Sequence, residues 1–132
     1  MNEDFNGLAE IESTLDFYPD ISAFINLHTA ELSTLTRIKG TNDSSSGIDD
    51  RIRELNAEID RLLDIRRMVE GWLPHLAKIE RAVVRRRCIE GRSWTEVEAM
   101  LQVDGFDIGA RQAQNVKTRA IQKIRDFTRK GV

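Results

Sequence analysis

Apolar residues recur in steps of three and four over most of the chain, which is the spacing of one face of an α-helix. These stripes predict one helix over about 20–39, a second over about 48–70 and three further helices in the C-terminal half. A short amphipathic segment precedes them, and Pro19 is expected to end it or bend it because proline cannot donate a helical hydrogen bond. The sequence therefore predicts an all-α fold.

The helix predicted over 48–70 is highly charged and carries a narrow apolar seam with the alternating steps of a heptad repeat. The residues of this seam, which are the dimerisation candidates, are Ile48, Ile52, Leu55, Ile59, Leu62 and Val69. A helix this polar must bury its seam on the preceding helix in an antiparallel hairpin, on a second chain in a homodimer, or on both. The polar segment 41–47 that joins the two helices is expected to be weakly ordered.

The chain has a net charge of −2, but the charge is divided unevenly along it. Residues 1–70 carry 7 Lys/Arg and 15 Asp/Glu, whereas residues 71–132 carry 13 Lys/Arg and 7 Asp/Glu. We therefore expect two regions with different partners: an acidic helical hairpin over 1–70 for dimerisation or partner binding, and a basic domain over 71–132. The alternative is that both charge distributions are ordinary solvated helix faces.

Composition disfavours several classes of protein. No run approaches 18 apolar residues, so no membrane partner is expected, and the acidic N-terminus is not typical of a signal peptide. A single cysteine, Cys88, indicates a reducing cytoplasm. His28 and His75 have no metal-ligand spacing, and no histidine has a recognisable relation to Cys88, for which we expect a structural role. We therefore expect no enzyme, no catalytic residue, no metal and no cofactor.

Helix caps predict two closely joined helices in the basic region. Gly91 suits the left-handed position after a helix. Ser93 and Glu96 form the capping-box pattern S-x-x-E, so a new helix begins within about three residues of the previous end. After a turn over 102–109 the last helix follows. The residues expected on the inner faces of these two helices are Trp94, Val97, Met100, Leu101, Ala113, Val116, Ala120, Ile124 and Phe127.

The outer face of the last helix combines the residue types that bind DNA. Arginine pairs with guanine, and asparagine or glutamine with adenine, in the major groove, while Lys and Arg neutralise phosphates. The candidates for base contacts are Arg111, Gln112, Gln114, Asn115 and Thr118. The candidates for phosphate contacts are Arg86, Arg92, Lys117, Arg119 and Lys123. We predict binding to double-stranded DNA; an ordinary polar helix face is the alternative.

A family resemblance supports this hypothesis. Residues 79–97, IERAVVRRRCIEGRSWTEV, resemble the fourth region of bacterial sigma factors and, more closely, phage late-gene transcription regulators of the RinA/ArpU type. Residues 119–124 are similar to the end of the recognition helix in these families, and residues 20–70 are similar more loosely. The resemblance implies a sigma region-four-like helix-turn-helix domain that binds promoter DNA as a homodimer. It also implies activation of late, packaging-related genes in the bacterial cytoplasm and contact with host RNA polymerase.

Three departures from the family bear on this hypothesis. Glu98 stands where the family has alanine at the crossing of two helices, and a buried charge there is costly unless it is paired or reaches solvent. The turn over 102–108 is longer than in the family, and Cys88 replaces a tyrosine. Two alternatives stay open: a phage packaging or structural protein such as a small terminase subunit, and a sigma-like module that binds RNA polymerase without DNA.

Overall fold

The computed structural model describes residues 7–41 and 46–130, and the regular structure in these residues is helical. The all-α prediction is thereby confirmed. The α-helices, in chain order, are α1 (Leu8–Thr41), α2 (Ser46–Trp72), α3 (Lys78–Val84), α4 (Trp94–Val103) and α5 (Ala110–Lys130). A 3-10 turn over Leu73–His75 follows α2, and a π-helical turn over Arg85–Ile89 extends α3. The expected weak order of segment 41–47 falls largely outside the described residues.

None of the helices in the described ranges combines the length and the apolar composition that a membrane span needs.

Helix α1 continues through Pro19, where the sequence pattern predicts an end or a bend. The missing proline N–H removes one bond to the carbonyl of Leu15, and the ring costs a helix interior about 3 kcal/mol. Ile11 and Leu15, two turns and one turn earlier, are buried at 2% and 0% exposure. Burial of such side chains contributes about 1.5–3 kcal/mol each, which offsets the cost of the proline.

The chain forms two compact units whose boundaries differ from the predicted division at residue 70. Residues up to Pro19 and from Met68 onward form one unit, here called the core unit, and Asp20–Arg67 form the other, here called the middle unit. The first segment of α1 therefore belongs with the C-terminal helices. The reason is apolar burial, because Ile11 and Leu15 lie in a cluster with residues of α2, α3 and α5.

The core unit is held by two apolar clusters. The first contains Ile11, Leu15, Val69, Trp72, Leu73, Leu76, Val84, Cys88, Ala120, Ile121 and Ile124. The second contains Val83, Val97, Leu101, Ala113 and Val116. Helix α5 contributes to both clusters, and the inner stripes predicted for α4 and α5 supply most residues of the second cluster, with Ala120 and Ile124 in the first. Phe127 is half-buried and stacks on His75, with ring centroids 3.7 Å apart.

The seam of α2 is partly covered within a single chain. Leu55 and Leu62 are each 1% exposed and Val69 is 0% exposed, whereas Ile48, Ile52 and Ile59 are half-buried. Leu55, Leu62 and Val69 therefore offer no surface to a second chain, which corrects their proposed place in a dimer interface.

Ion pairs link the two helical segments of the middle unit. Arg51 of α2 donates two hydrogen bonds to the carboxylate of Glu31 of α1, at 2.8 and 3.0 Å. Lys39 of α1 pairs with Asp49 of α2. The hydrogen bonds from Arg51 lower the pKa of the Glu31 carboxyl. Both pairs are exposed, so each contributes little to stability.

The placement of Leu15 in the core unit generates a stability prediction. Leu15→Ala should lower the free energy of unfolding by about 2–5 kcal/mol, because it leaves a cavity in a packed cluster. Both tryptophans of the chain, Trp72 and Trp94, lie in this unit, so their fluorescence during urea denaturation reports its unfolding.

Leu27→Ala is the matched control, since Leu27 on the same helix is 65% exposed and should change stability by less than about 0.5 kcal/mol. Equal effects of the two substitutions would contradict the assignment of the first segment of α1 to the core unit.

Candidate nucleic-acid interface

The connection between α3 and α4 is fixed by its backbone and caps. Gly91 has φ +70°, and a Cβ there would lie 3.4 Å from the ring of Pro19. Ser93 Oγ accepts a hydrogen bond from the Glu96 N–H at 3.2 Å, and Glu96 Oε1 accepts one from the Ser93 N–H at 3.0 Å. The predicted glycine conformation and the predicted capping box are both confirmed, so the start of α4 is set locally.

An arginine packed on a tryptophan adds to the stability of this connection. The Arg87 guanidinium lies over the Trp94 ring, 4.7 Å from its centroid. Arg87 also donates to the Arg92 carbonyl at 2.9 Å. A cation over an indole face is attracted by the ring's negative centre, which ties the end of α3 to the first residue of α4.

The longer connection between α4 and α5 is packed. Phe106 and Ile108 pack against the second apolar cluster. The Phe106 N–H donates to the Leu101 carbonyl at 2.8 Å, and Gly105 takes the left-handed conformation at φ +95°. The Gly109 N–H donates to Gln112 Oε1 at 3.1 Å, which satisfies one donor at the start of α5.

Glu98 lies beside the beginning of α5. It is half-buried, and its Oε2 lies 4.0 Å from the position that a Cβ on Gly109 would take. A negative charge near the N-terminus of a helix is stabilised by the backbone dipoles, which explains why the charge is tolerated there.

All five candidates for base contacts are exposed on α5. Gln112 accepts the hydrogen bond at the helix start, and Thr118 Oγ1 donates to the Gln114 carbonyl at 3.2 Å. Within residues 7–41 and 46–130, the side chains of Arg111, Gln114 and Asn115 form no hydrogen bond or ion pair. These three side chains are available to a ligand.

Lys117 does not lie on the exposed face of α5. It is 8% exposed, and its Nζ lies 3.2 Å from Glu12 Oε2 and 3.7 Å from Asp16 Oδ1. Its ammonium is held against the first segment of α1, so the phosphate-contact prediction for Lys117 is corrected. The acidic residues of α1 border α5 along this edge.

Arg86 and Arg92 are engaged with carboxylates of the core unit. Arg86 donates to both oxygens of Asp104, at 3.1 and 2.8 Å, and also to Glu90. Arg92 pairs with Glu90 at 2.6 Å. The hydrogen bonds from Arg86 lower the pKa of the Asp104 carboxyl. The pKa of the Glu90 carboxyl is lowered mainly by the hydrogen bond from Arg92 and further by those from Arg86. A phosphate would have to compete with these partners.

Lys123 forms an ion pair within the core unit, whereas Arg119 does not form one with any described residue. Lys123 Nζ lies 2.9 Å from Oε1 of Glu80, whose side chain is buried and also accepts from the Ala77 N–H. Arg119 is exposed and has no ion pair within the described part of the chain. Of the phosphate-contact candidates, Arg119 is therefore the one whose charge is unneutralised.

Three cations of α3 and of the π-helical turn that extends it were not among the predicted contacts. Lys78 and Arg85 are exposed and Arg81 is half-buried, and none of them forms an ion pair within residues 7–41 and 46–130. Their spacing of three and four residues opposite the buried pair Val83 and Val84 is the sequence signal that places them on one outer face.

A hollow joins α5 to α3. It is lined by Ile79, Ile108, Gln112, Asn115, Val116 and Arg119. One edge of the exposed face of α5 thus borders this partly apolar hollow, and the other borders the acidic residues of α1.

Comparisons of the chain with protein-family models, with curated proteins and with solved structures find no match.

Cys88 is 2% exposed, and burial raises the pKa of its thiol from 9.0 to about 11. The neutral thiol is therefore the dominant form at neutral pH, despite the arginines before it. We predict that a thiol-specific reagent at pH 8 labels the native protein much more slowly than the urea-unfolded protein, since the thiolate is the reactive form.

The same shift predicts a pH dependence of stability. The folded-state pKa lies above the unfolded-state value, so the contribution of Cys88 is present below about pH 9 and is lost as the pH rises toward 11. Urea unfolding at pH 7 to 10.5 measures it, with Cys88→Ala as the control. Native labelling as fast as that of the unfolded chain would contradict the buried placement.

Proposed function

We propose that this chain is a sequence-specific double-stranded DNA-binding regulator of transcription. In this proposal α4 and α5 form a helix-turn-helix, and the exposed face of α5 enters the major groove. The observation that carries the proposal is that face. Arg111, Gln114 and Asn115 are exposed, and among the described residues their side chains have no hydrogen-bond partner and the neighbouring Arg119 has no ion pair. A helix about 10–12 Å in diameter fits a groove about 12 Å wide.

The spacing of these residues suits base contacts. Arg111 and Asn115 are four residues apart, so they lie on the same side of α5 with a rise of about 6 Å between them. Base pairs follow at about 3.4 Å along the duplex. The pair therefore spans about two base steps, with arginine suited to guanine and asparagine to adenine.

The family resemblance and the middle unit support the regulatory part of the proposal. Phage late-gene regulators, which residues 79–97 resemble, bind promoter DNA and activate packaging-related genes, with RNA polymerase as a further partner. The ion pairs Glu31–Arg51 and Lys39–Asp49 suit an antiparallel hairpin in the middle unit. A homodimer on paired half-sites would add the area that one small module lacks, and the half-buried Ile48, Ile52 and Ile59 remain available for it.

The first test of this proposal removes the central base contacts. Arg111→Ala/Asn115→Ala should bring the affinity for promoter DNA from the protein's own genome down to that for a scrambled duplex, because each bidentate contact contributes about 1–3 kcal/mol of discrimination. Fluorescence anisotropy with labelled duplexes measures both affinities.

Arg53→Ala/Asn56→Ala is the matched control, since it removes the same residue types from exposed positions of α2. It should leave the ratio of the two affinities unchanged. The proposal fails if the wild-type protein binds neither duplex at low salt, or if the α5 variant keeps the wild-type ratio.

The second test compares two adjacent cations of α5. Arg119→Met should reduce the slope of log affinity against log salt by about 0.9, the value of one lost phosphate contact. Lys117→Met should leave the slope unchanged, because its ammonium is held by Glu12 and Asp16. A slope lowered by Lys117→Met and unaffected by Arg119→Met would contradict this assignment.

A further inference from the structure

The outer face of α3, continued by the first residue of the π-helical turn, carries a strip of cations that have no carboxylate partners in the described residues. The strip consists of Lys78, Arg81 and Arg85. Arg86 and Asp104, which neighbour the strip, are paired with each other. Unpaired cations clustered on one face attract an anionic partner, since no carboxylate of residues 7–41 and 46–130 neutralises their charge.

The strip has the spacing of a phosphate backbone. Residues 78 and 85 are separated by about 10.5 Å along a helix. One strand of a duplex carries a phosphate about every 3.4 Å along the axis. The strip is therefore about as long as three axial steps between successive phosphates of one strand.

The strip also lies next to the exposed face of α5. A hollow beside the strip is lined by Lys78, Arg81, Ala82, Arg85, Arg86, Asp104 and Phe106. The hollow along α5 is lined by Ile79 and Ile108. Lys78 directly precedes Ile79, and Phe106 lies two residues before Ile108. The two hollows are therefore adjacent on the surface of the core unit.

We propose that the strip Lys78, Arg81 and Arg85 is a second nucleic-acid contact, which binds consecutive phosphates of the strand flanking the groove occupied by α5. This inference rests on the proposed function. It adds a contact that is independent of base sequence. Such contacts fix the register of a protein on the duplex and increase the salt dependence of binding, while base contacts supply the discrimination.

The contribution of the strip is tested by replacing its cations with glutamine, which removes the charge and keeps a polar side chain. Arg81→Gln/Arg85→Gln should reduce the slope of log affinity against log salt by about 1.8, which is about 0.9 for each lost contact. The reduction should be equal for promoter DNA and for a scrambled duplex, so the ratio of the two affinities should stay at the wild-type value.

Two further variants control for fold and for net charge. Lys78→Gln/Arg85→Gln changes only exposed residues and should give the same reduction. Arg37→Gln/Arg53→Gln removes the same charge from exposed positions of the middle unit and should leave the slope unchanged. Equal reductions from the middle-unit variant would overturn the inference, because they would reflect net charge alone.

Uncharged methylphosphonate links in the flanking strand locate the contact. Replacement of flanking phosphates should weaken wild-type binding but have no effect on the Arg81→Gln/Arg85→Gln variant, whose contacts are already gone. Equal weakening of both proteins would overturn the inference.

These measurements separate failure of the inference from failure of the proposed function. A specific wild-type protein whose slope is unaffected by the strip variants overturns the inference and leaves the proposed function standing. A wild-type protein that binds both duplexes equally, with a slope reduced by the strip variants, overturns sequence-specific recognition and supports the strip. A wild-type protein that binds neither duplex overturns both.

Discussion

The burial of one face of α5 in two apolar clusters at once is the constraint on which the arrangement of the core unit depends. Ala113 and Val116 belong to one cluster, and Ala120, Ile121 and Ile124 belong to the other. Because these apolar residues occupy one side of α5, the residues on the opposite side face outward. The exposure of Arg111 and Asn115 thus follows from packing, and the polar face is displayed on a rigid element.

Local features of the structure could be predicted from the sequence, and long-range partners could not. The Ser93–Glu96 capping box and the inner stripe of α5 depend on residues within a few positions of each other, so their pattern alone indicates the structure. The partners of Lys117 lie more than 100 positions earlier in the chain, as its pairing with Glu12 shows. Periodicity carries no information about such a contact, and the lysine was therefore expected to face solvent.

Charge counting by region does not show which cations are paired. Residues 71–132 carry a net positive charge, but Arg86, Arg92 and Lys123 are matched by carboxylates of the same unit. An ion pair between two helices does not change the net charge of the region, but it reduces the positive potential that the paired cation presents at the surface. Among the cations of 78–129, those without a carboxylate partner in the described part of the chain include Arg111 and Arg119 on α5 and the strip on the outer face of α3.

The assembly of the core unit from both sides of the middle unit has a consequence for synthesis on the ribosome. Glu12 and Lys117, which pair in the folded protein, are 105 positions apart. At translation rates of about 5–20 residues per second, the first segment of α1 is made roughly 5–20 s before its partners on α5. During that interval Ile11 and Leu15 have none of their α5 neighbours, so the apolar face of this segment cannot be fully buried until α5 leaves the exit tunnel.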